Sequence, residues 1–240
     1  MNILLIGYGK MGKTIEGIAK DRGHQVPVVI DVENPLTEQS IKNQSIDVAI
    51  EFTSPEAAFE NIKFCVEHNI PVVSGTTGWL DRKAEIEALC DKHKSAFFYA
   101  SNYSLGVNLF FKLNEYLAKM INHYPEYSVS MEEIHHIQKK DAPSGTAITL
   151  AEGIIQEIQR KNGWVLKGEQ EAAQEQFAIE AKRIENVPGT HTVTYESEID
   201  SIEIKHTAHS RQGFALGAVV AAEWLKDKQG AFGMNDILKF

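Results

Sequence analysis

The chain opens with a short apolar run that leads directly into a glycine-rich loop. Residues 2–6 read NILLI, which suits a buried parallel strand. Residues 7–12 read GYGKMG and match G-x-G-x-x-G, and apolar residues then recur at helical spacing. The first glycine of this motif allows a tight turn, the second lets a phosphate approach the backbone, and the third lets the helix lie close to the strand. We therefore predict the first unit of a dinucleotide-binding fold, with candidate contacts at Gly7, Tyr8, Gly9, Lys10, Met11 and Gly12.

A second apolar run, residues 26–31, ends in an acid. Asp31 lies about 20 residues beyond Gly12, the spacing that the dinucleotide fingerprint requires. A carboxylate here accepts hydrogen bonds from a ribose 2′-hydroxyl and repels a 2′-phosphate. No arginine follows Asp31, although Lys10 and Lys13 lie nearby. We therefore expect NADH or NADPH as the cofactor, with NADH favoured.

The alternation of strands and helices continues to about residue 100. Strands are predicted at 47–52, 70–74 and 96–100, with helices after Pro55 and at 81–93. Ligands of a doubly wound sheet bind beyond the carboxyl ends of its strands. The residues that follow these strands are either part of the cofactor site or ordinary turns: Phe52, Thr53, Gly75, Thr76, Thr77, Ala100, Ser101, Asn102 and Tyr103.

The pattern changes after residue 104. The predicted elements are a long helix from 105, a strand over 127–137, a helix over 147–158, a hairpin formed by 191–195 and 199–206, and a buried helix over 217–225. Residues 161–176 are polar and poorly patterned. We expect an α/β chain with a Rossmann-type parallel-sheet dinucleotide domain, residues 1–104 and 215–240. A second α+β domain, residues 105–214, would carry a mixed, largely antiparallel sheet for substrate binding and oligomerisation.

The segment 133–147 concentrates the candidate chemistry. The imidazole groups of His135 and His136 can donate or accept a proton near neutral pH, and Lys139 supplies a cation and an acid. Both imidazoles can reach one substrate only if the strand ends near them. A helix start then points backbone N–H groups at an anion, at Ser144, Gly145 and Thr146. This set suits a small anionic substrate that must receive a proton. A simple turn followed by a capped helix would give the same sequence pattern, so that alternative stays open.

These motifs resemble those of bacterial dihydrodipicolinate reductases along nearly the whole chain. The string Glu-x-His-His…Lys-x-Asp-Ala-Pro-Ser-Gly-Thr-Ala at 133–147 is very characteristic of that family. Further matches are the loop at 7–12, Phe-Thr-x-Pro at 52–55, Gly-Thr-Thr-Gly at 75–78, and the segments 102–108, 210–211 and 214–218.

The resemblance implies an activity and a set of roles. Family members reduce a cyclic unsaturated dicarboxylate with NAD(P)H in diaminopimelate and lysine biosynthesis. His135 would match the catalytic histidine and Lys139 the proton-donating lysine, and which of the two delivers the proton stays open. The two carboxylates would be held by His136, Lys139 and the helix start at residues 144–146, and Arg211 would join the cofactor site. The family's enzymes are commonly homotetramers built through the sheet of the second domain.

Three positions depart from the family's pattern. The family often has Arg-x-Gly-x-x-x-Gly-Glu-His before its last strands, whereas residues 183–191 carry Glu185 in place of a glycine and Thr190 in place of an acid. We expect another shape for that loop. The usual basic residue after the ribose acid is absent, and Ser101 replaces a frequent alanine, which should be tolerated.

Charge and composition limit the partners. The net charge of −9 argues against nucleic acid or an anionic membrane as a partner. Cys65 and Cys90 have no metal-ligand spacing, and we interpret His191, His206 and His209 as core or surface residues rather than metal ligands. No signal region precedes the first strand, and no run reaches the ~18 apolar residues of a membrane span. We therefore expect a cytoplasmic protein without a metal.

Two other classes stay open. One is a different Rossmann oxidoreductase that acts on a sugar or an amino acid, which would need its own acid and lysine in the second domain. The other is a non-catalytic dinucleotide sensor that binds a partner protein. A sensor has no need for His135 or Lys139, so its properties would be indifferent to their loss.

Overall fold

The computed structural model describes residues 1–210 and 212–238. The chain forms two compact units, Met1–Leu105 with Gln212–Phe240 and Gly106–Arg211. The elements up to the end of the first segment are β1 (Asn2–Ile6), α1 (Lys10–Asp21), β2 (Gln25–Ile30), α2 (Glu38–Ile41), β3 (Val48–Glu51), α3 (Pro55–Glu67), β4 (Val72–Ser74), α4 (Lys83–His93) and β5 (Ala96–Tyr99).

The remaining elements follow in chain order. They are α5 (Leu105–Ile121), β6 (Ser128–His135), α6 (Gly145–Glu157), β7 (Gly163–Leu166), β8 (Gln176–Arg183), β9 (Gly189–Glu196), β10 (Ser201–Ala208), α7 (Gln212–Leu225), β11 (Gly230–Phe232) and α8 (Met234–Leu238). Within this description, no helix combines the length and the apolar character needed to cross a bilayer.

The first unit is a six-stranded parallel sheet in the order β11-β5-β4-β3-β1-β2. Apolar side chains point to both faces, as expected of parallel strands between helices. One face packs against α1 and α7, and the other against α3 and α4. The strand order reverses between β1 and β3, and ligands of such sheets bind at this reversal. The predicted Rossmann-type sheet is confirmed.

The second unit is a five-stranded mixed sheet in the order β10-β9-β6-β8-β7. Its core lies on one face, where side chains such as Met131, Ile179 and Val193 pack against α5 and α6. The hairpin of β9 and β10 is antiparallel, as predicted, and β6 pairs antiparallel with β9. The predicted mixed sheet is confirmed, and its parallel part is β8, which pairs in parallel with both β6 and β7.

Two strands lie in or next to residues 161–176, where the sequence predicts no element. β7 falls inside residues 161–176, and β8 begins at its end. β7 is only four residues long, and β8 has just two large apolar residues, Phe177 and Ile179, before its charged end, so neither gives a clear strand signal. The small elements α2, β11 and α8 were also missed, because three to five residues give too little periodicity to predict an element.

Candidate active site

The glycine-rich loop lies at the carboxyl end of β1. Gly7 has a φ of +97°, and a Cβ atom there would lie 2.0 Å from the carbonyl oxygen of Phe52. A Cβ atom on Gly12 would lie 2.1 Å from the carbonyl oxygen of Gly7. In contrast, a Cβ atom on Gly9, the N-cap of α1, would meet no neighbouring atom within 4 Å. The fold requires glycine at 7 and 12, whereas the space next to Gly9 is open and fits a phosphate at the start of α1.

Asp31 follows β2 and is exposed. Its Oδ1 atom accepts hydrogen bonds from the backbone N–H groups of Glu33 (3.0 Å) and Asn34 (2.8 Å). These bonds hold the carboxylate at the end of the strand that pairs with β1. Because both bonds use Oδ1, Oδ2 is the oxygen that can face a ribose hydroxyl.

The turns after β3 and β4 share one buried carboxylate that the sequence analysis missed. Glu51 is fully buried at the end of β3. Its Oε1 atom accepts hydrogen bonds from the backbone N–H (3.0 Å) and the hydroxyl of Thr53 and from the hydroxyl of Thr76 (2.8 Å). Its Oε2 atom accepts a hydrogen bond from the Ser74 hydroxyl (2.6 Å). Glu51 therefore fixes two of the three turns that form the cofactor rim, which we define as residues 52–53, 75–77 and 100–103.

Several rim side chains support the site rather than face a ligand. Tyr103 is buried and its hydroxyl donates to the carbonyl of Ser74 (2.6 Å), and burial raises the pKa of Tyr103 well above its usual value. A Cβ atom on Gly75 would lie 2.1 Å from the ring of Phe52. Cofactor contacts by Tyr103 and Thr76 would therefore come from their backbones. Thr77 and Ser101 are exposed, Asn102 is half-buried, and Arg211 lies outside the described residues.

In the second unit, β6 ends at His135 and the chain then leaves the sheet. His135 is buried on the core face, and His136 begins the following loop. Because the strand ends between His135 and His136, both imidazoles can reach one substrate. In the same loop, Lys139 Nζ donates to both carboxylate oxygens of Asp141, at 2.9 and 2.8 Å. An anionic ligand that binds the Lys139 ammonium has to displace the Asp141 carboxylate.

The start of α6 faces this loop with its first backbone N–H groups. Those of Gly145 and Thr146 have no acceptor within the helix, and a Cβ atom on Gly145 would meet no neighbouring atom within 4 Å. This opening fits a carboxylate. Ser144 is buried, and its hydroxyl caps Ala147 N (3.2 Å) and shares a hydrogen bond with His191 Nε2 (3.1 Å). Ser144 therefore shapes the helix start, and its hydroxyl is already engaged within the protein.

A buried ionic cluster surrounds His135. Glu133 Oε2 lies 3.3 Å from His135 Nδ1 and 3.7 Å from His191 Nε2, and Glu133 Oε1 lies 3.1 Å from Arg183 Nη2. Burial raises the pKa of Glu133, but interactions with His135, Ser144 and Arg183 outweigh it and bring the pKa to about 2. Burial, together with the charge of His135, lowers the pKa of His191 to about 4. At neutral pH, Glu133 is charged and His191 is neutral.

Glu133, His135 and His191 each place one donor atom within 4.8 Å of the others. The carboxylate is already paired with the guanidinium of Arg183, and a cation would compete with it. We therefore interpret this cluster as a hydrogen-bonded ion network. His206 lies directly opposite His191 in the pairing of β10 with β9 and stacks on Phe110 with ring centroids 6.0 Å apart, and among the described residues it belongs to no group of possible metal ligands.

The sequence predicts no role for Glu133 or Arg183, and it indicates His191 only as a core or surface residue. The signal for Glu133 was present, since residues two apart on a strand share a face and His135 follows it at that spacing. Arg183 and His191 flank the connection between β8 and β9, and they reach Glu133 only through the pairing of β6 with both strands. That pairing has no signal in the sequence alone.

An open glycine loop at the reversal of a parallel sheet, and a second unit with imidazole, ammonium and helix-start groups, define a nicotinamide-dependent oxidoreductase. Family models for the N-terminus and the C-terminus of dihydrodipicolinate reductase match residues 1–103 and 106–238. A 4-hydroxy-tetrahydrodipicolinate reductase of Christiangramia forsetii is 58% identical over 238 residues, which cover 99% of this chain and 98% of that protein. The chain belongs to the dihydrodipicolinate reductase family, whose members are NAD(P)H-dependent oxidoreductases.

Solved structures agree with this fold. A dipicolinate-bound dihydrodipicolinate reductase from Paenisporosarcina sp. TG-14 has a TM-score of 0.79 at 22% identity, with 99% of both chains covered. A D-galactose-1-dehydrogenase from Rhizobium etli has a TM-score of 0.56 at 15% identity, with 96% of this chain and 89% of that chain covered. At these identities the likeness concerns the fold alone.

Proposed function

We propose that the chain reduces a cyclic unsaturated dicarboxylate to tetrahydrodipicolinate with NAD(P)H. This is the reaction of a 4-hydroxy-tetrahydrodipicolinate reductase in diaminopimelate and lysine biosynthesis. The observation that carries the proposal is the end of β6, where His135, His136, the Lys139 loop and the open start of α6 follow one another. The 58% identical relative and the dipicolinate bound to the Paenisporosarcina enzyme support a dicarboxylate as the substrate.

The two carboxylates of the substrate would have separate partners. The N–H groups of Gly145 and Thr146 suit one of them, because the first turn of a helix also carries a favourable dipole. The Lys139 ammonium and the His136 imidazole suit the other, once Lys139 exchanges Asp141 for the ligand. This exchange replaces one ion pair by another, so it keeps the lysine charge neutralised throughout.

The same groups suit the protonation step. The bound nicotinamide would supply a hydride to the electron-poor ring, and negative charge would develop on that ring. Lys139 and His135 are the acids in the unit that would hold the ring, and either could deliver the proton. The positive charge of Lys139 also favours the developing anion before the proton moves.

For the cofactor, we propose the glycine loop with Lys10 and Met11 at the pyrophosphate, Asp31 at the ribose and the cofactor rim at the nicotinamide. The open space next to Gly9 and the orientation of Asp31 support this placement. Because a carboxylate at residue 31 repels a 2′-phosphate, NADH is the preferred cofactor.

We also propose that the enzyme is a cytoplasmic homotetramer. Cys65 and Cys90 are free thiols, which agrees with a reducing compartment. One face of the five-stranded sheet is occupied by α5 and α6. The opposite face carries short hydroxyl side chains next to the ion pair of Glu132 and Lys182, and these are Ser128, Ser130, Thr190, Thr192 and Thr194.

The first test follows the oxidation of NADH and NADPH in parallel. The substrate is generated in situ from pyruvate and aspartate semialdehyde by the preceding synthase, and reactions without the synthase serve as controls. Oxidation that depends on the synthase is the expected result. Tight NADH binding without any such oxidation would contradict the proposal and favour a dinucleotide sensor.

A further inference from the structure

The carboxylate of Glu133 has no part in the roles proposed above, although it lies beside His135. Glu133 is fully buried on the core face of β6. It accepts hydrogen bonds from Arg183 Nη2 (3.1 Å) and from the backbone N–H of Ser144 (3.1 Å). A buried carboxylate is costly unless it is paired in this way, so the chain maintains a charge at this place.

The carboxylate determines which nitrogen of His135 faces the protein. His135 Nδ1 is buried and lies 3.3 Å from Glu133 Oε2, and within residues 1–210 and 212–238 it makes no hydrogen bond, so this carboxylate is the charged group next to it. A carboxylate next to Nδ1 favours the tautomer that carries its proton there, as second-sphere carboxylates do for other functional histidines. Nε2 is then the nitrogen that can exchange a proton with a ligand.

The space beside His135 Nε2 is open because residue 189 is a glycine. A Cβ atom on Gly189, the first residue of β9, would lie 3.0 Å from His135 Nε2 and 3.3 Å from Cδ2. Any side chain at 189 would therefore press on the edge of the imidazole that carries Nε2. Glu133 and Gly189 act on opposite nitrogens of the same ring.

Arg183 connects this pair to the loop that carries Lys139. Besides Glu133, its guanidinium donates to the carbonyl oxygens of Asp141 (2.6 Å) and Lys139 (3.4 Å). One cation therefore joins the carboxylate beside His135 to the backbone of the second proposed acid. Loss of the Glu133 charge would therefore change the surroundings of both His135 and Lys139.

We propose that Glu133 is a positioning residue that orients His135 and holds its proton on Nδ1, with Arg183 extending this order to the Lys139 loop. The inference rests on the proposed function for the role of His135, and it adds a residue that acts through that histidine.

The test compares Glu133→Gln with Glu132→Gln. The first variant keeps the size of the side chain and removes its charge. The second changes the preceding glutamate, which lies on the other face of β6 and pairs with Lys182. We expect Glu133→Gln to lower kcat by about 10- to 100-fold, the usual effect of removing a partner that orients a functional histidine. The Kd for NADH should stay near the wild-type value, and Glu132→Gln should behave as the wild type.

A second readout does not depend on activity. In 15N spectra of the free protein, the His135 signals are assigned by their loss in His135→Asn. The wild type should show the proton on Nδ1, and Glu133→Gln should shift the balance towards Nε2. An unchanged tautomer together with a wild-type kcat would overturn the proposal. A wild type that never reduces the dicarboxylate but shows this tautomer shift would contradict the proposed function and leave the positioning role standing.

Gly189→Ala covers the case in which Glu133→Gln fails to fold, as judged by circular dichroism. It alters no charge and adds one methyl group at the Nε2 edge. We expect a lower kcat with NADH binding retained. A wild-type kcat in Gly189→Ala would show that the orientation of the His135 ring does not limit the reaction, which overturns the proposal.

Discussion

Asp31 is held from behind by two backbone N–H groups, so its carboxylate has a fixed direction before any ligand binds. We predict that Asp31→Ala weakens NADH binding by about 10-fold or more, because a hydrogen bond to a charged group contributes about 1.5–3 kcal/mol. NADPH binding should change less or improve, since a repulsive charge is removed. Titration of both nucleotides measures this, with Glu33→Ala as the control. A larger loss for NADPH would contradict the role of Asp31 at a 2′-hydroxyl.

Lys139 and Lys140 are neighbours with different surroundings. Lys139 is half-buried and paired with Asp141, whereas Lys140 is exposed. We predict that Lys139→Ala lowers kcat by ~10²–10⁴-fold, the usual contribution of a general acid, and leaves NADH affinity unchanged. Lys140→Ala should retain most of the activity. Steady-state kinetics and NADH titration test both variants, and an equal loss of turnover and NADH binding in Lys139→Ala would argue against its proposed role.

The residues of the site divide into those that the sequence could indicate and those that it could not. His135, His136 and Lys139 stand close together in one segment, so their types and spacing were informative. Arg183 and His191 are distant in sequence, and only the register of β6 between β8 and β9 brings them to Glu133. Glu51 was read as part of a strand, and its role depends on two neighbouring turns folding around it.

At the scale of elements, the connection from β1 to α1 makes a testable distinction between glycines. A Cβ atom on Gly12 would overlap the carbonyl of Gly7, whereas one on Gly9 would project into open space. We predict that Gly12→Ala lowers the free energy of unfolding by about 1–3 kcal/mol through overpacking. Gly9→Ala should cost less than about 1 kcal/mol, because alanine is a poorer N-cap than glycine, but should strongly weaken NADH binding.

Urea denaturation and NADH titration of both variants check this distinction. A Gly9→Ala protein that binds NADH normally would show that no phosphate approaches this residue. A Gly12→Ala protein as stable as the wild type would show that α1 can shift away from the loop.

The long elements were predicted well because their signals are strong and local. Parallel strands buried on both faces give continuous apolar runs, and α5 and α6 show clear helical spacing. β8 gave no such signal, since its only large apolar residues are the buried Phe177 and Ile179, and the strand then ends in charges. Without β8, the parallel pairs of the second sheet could not be anticipated.

At the scale of the whole molecule, the buried cluster makes stability depend on pH. The pKa of His191 is about 4 in the folded chain against an ordinary value of 6.5. As the pH falls from 6.5 to 4, the unfolded chain gains a proton that the folded chain does not, so stability is lost over this range. The loss from His191 is about 3 kcal/mol at 1.36 kcal/mol per pKa unit.

Glu133 adds to this loss at lower pH. Its pKa is about 2 in the folded chain against 4.5, so the stability that it contributes is present above 4.5 and is lost as the pH falls towards 2. Urea denaturation between pH 7 and 4 tests the His191 contribution. We expect His191→Asn to flatten the dependence between 6.5 and 4, and an unchanged slope would show that His191 is protonated in the folded protein.

The assembly of the chain depends on which of two surfaces meets a second copy. The sheet face with Thr190, Thr192 and Thr194 lies opposite the core, and α5 exposes an apolar stripe of its own at Leu109, Leu113, Tyr116 and Met120. We predict a native mass of four times 26.8 kDa. Thr194→Arg should reduce this mass, because it replaces a short side chain between Ser130 and Glu203 with one that is too long for a second sheet to approach closely. Thr149→Arg, on the exposed side of α6, should leave the mass unchanged. Native mass spectrometry distinguishes the surfaces: a tetramer that survives Thr194→Arg but dissociates in Leu113→Arg would place the interface on α5.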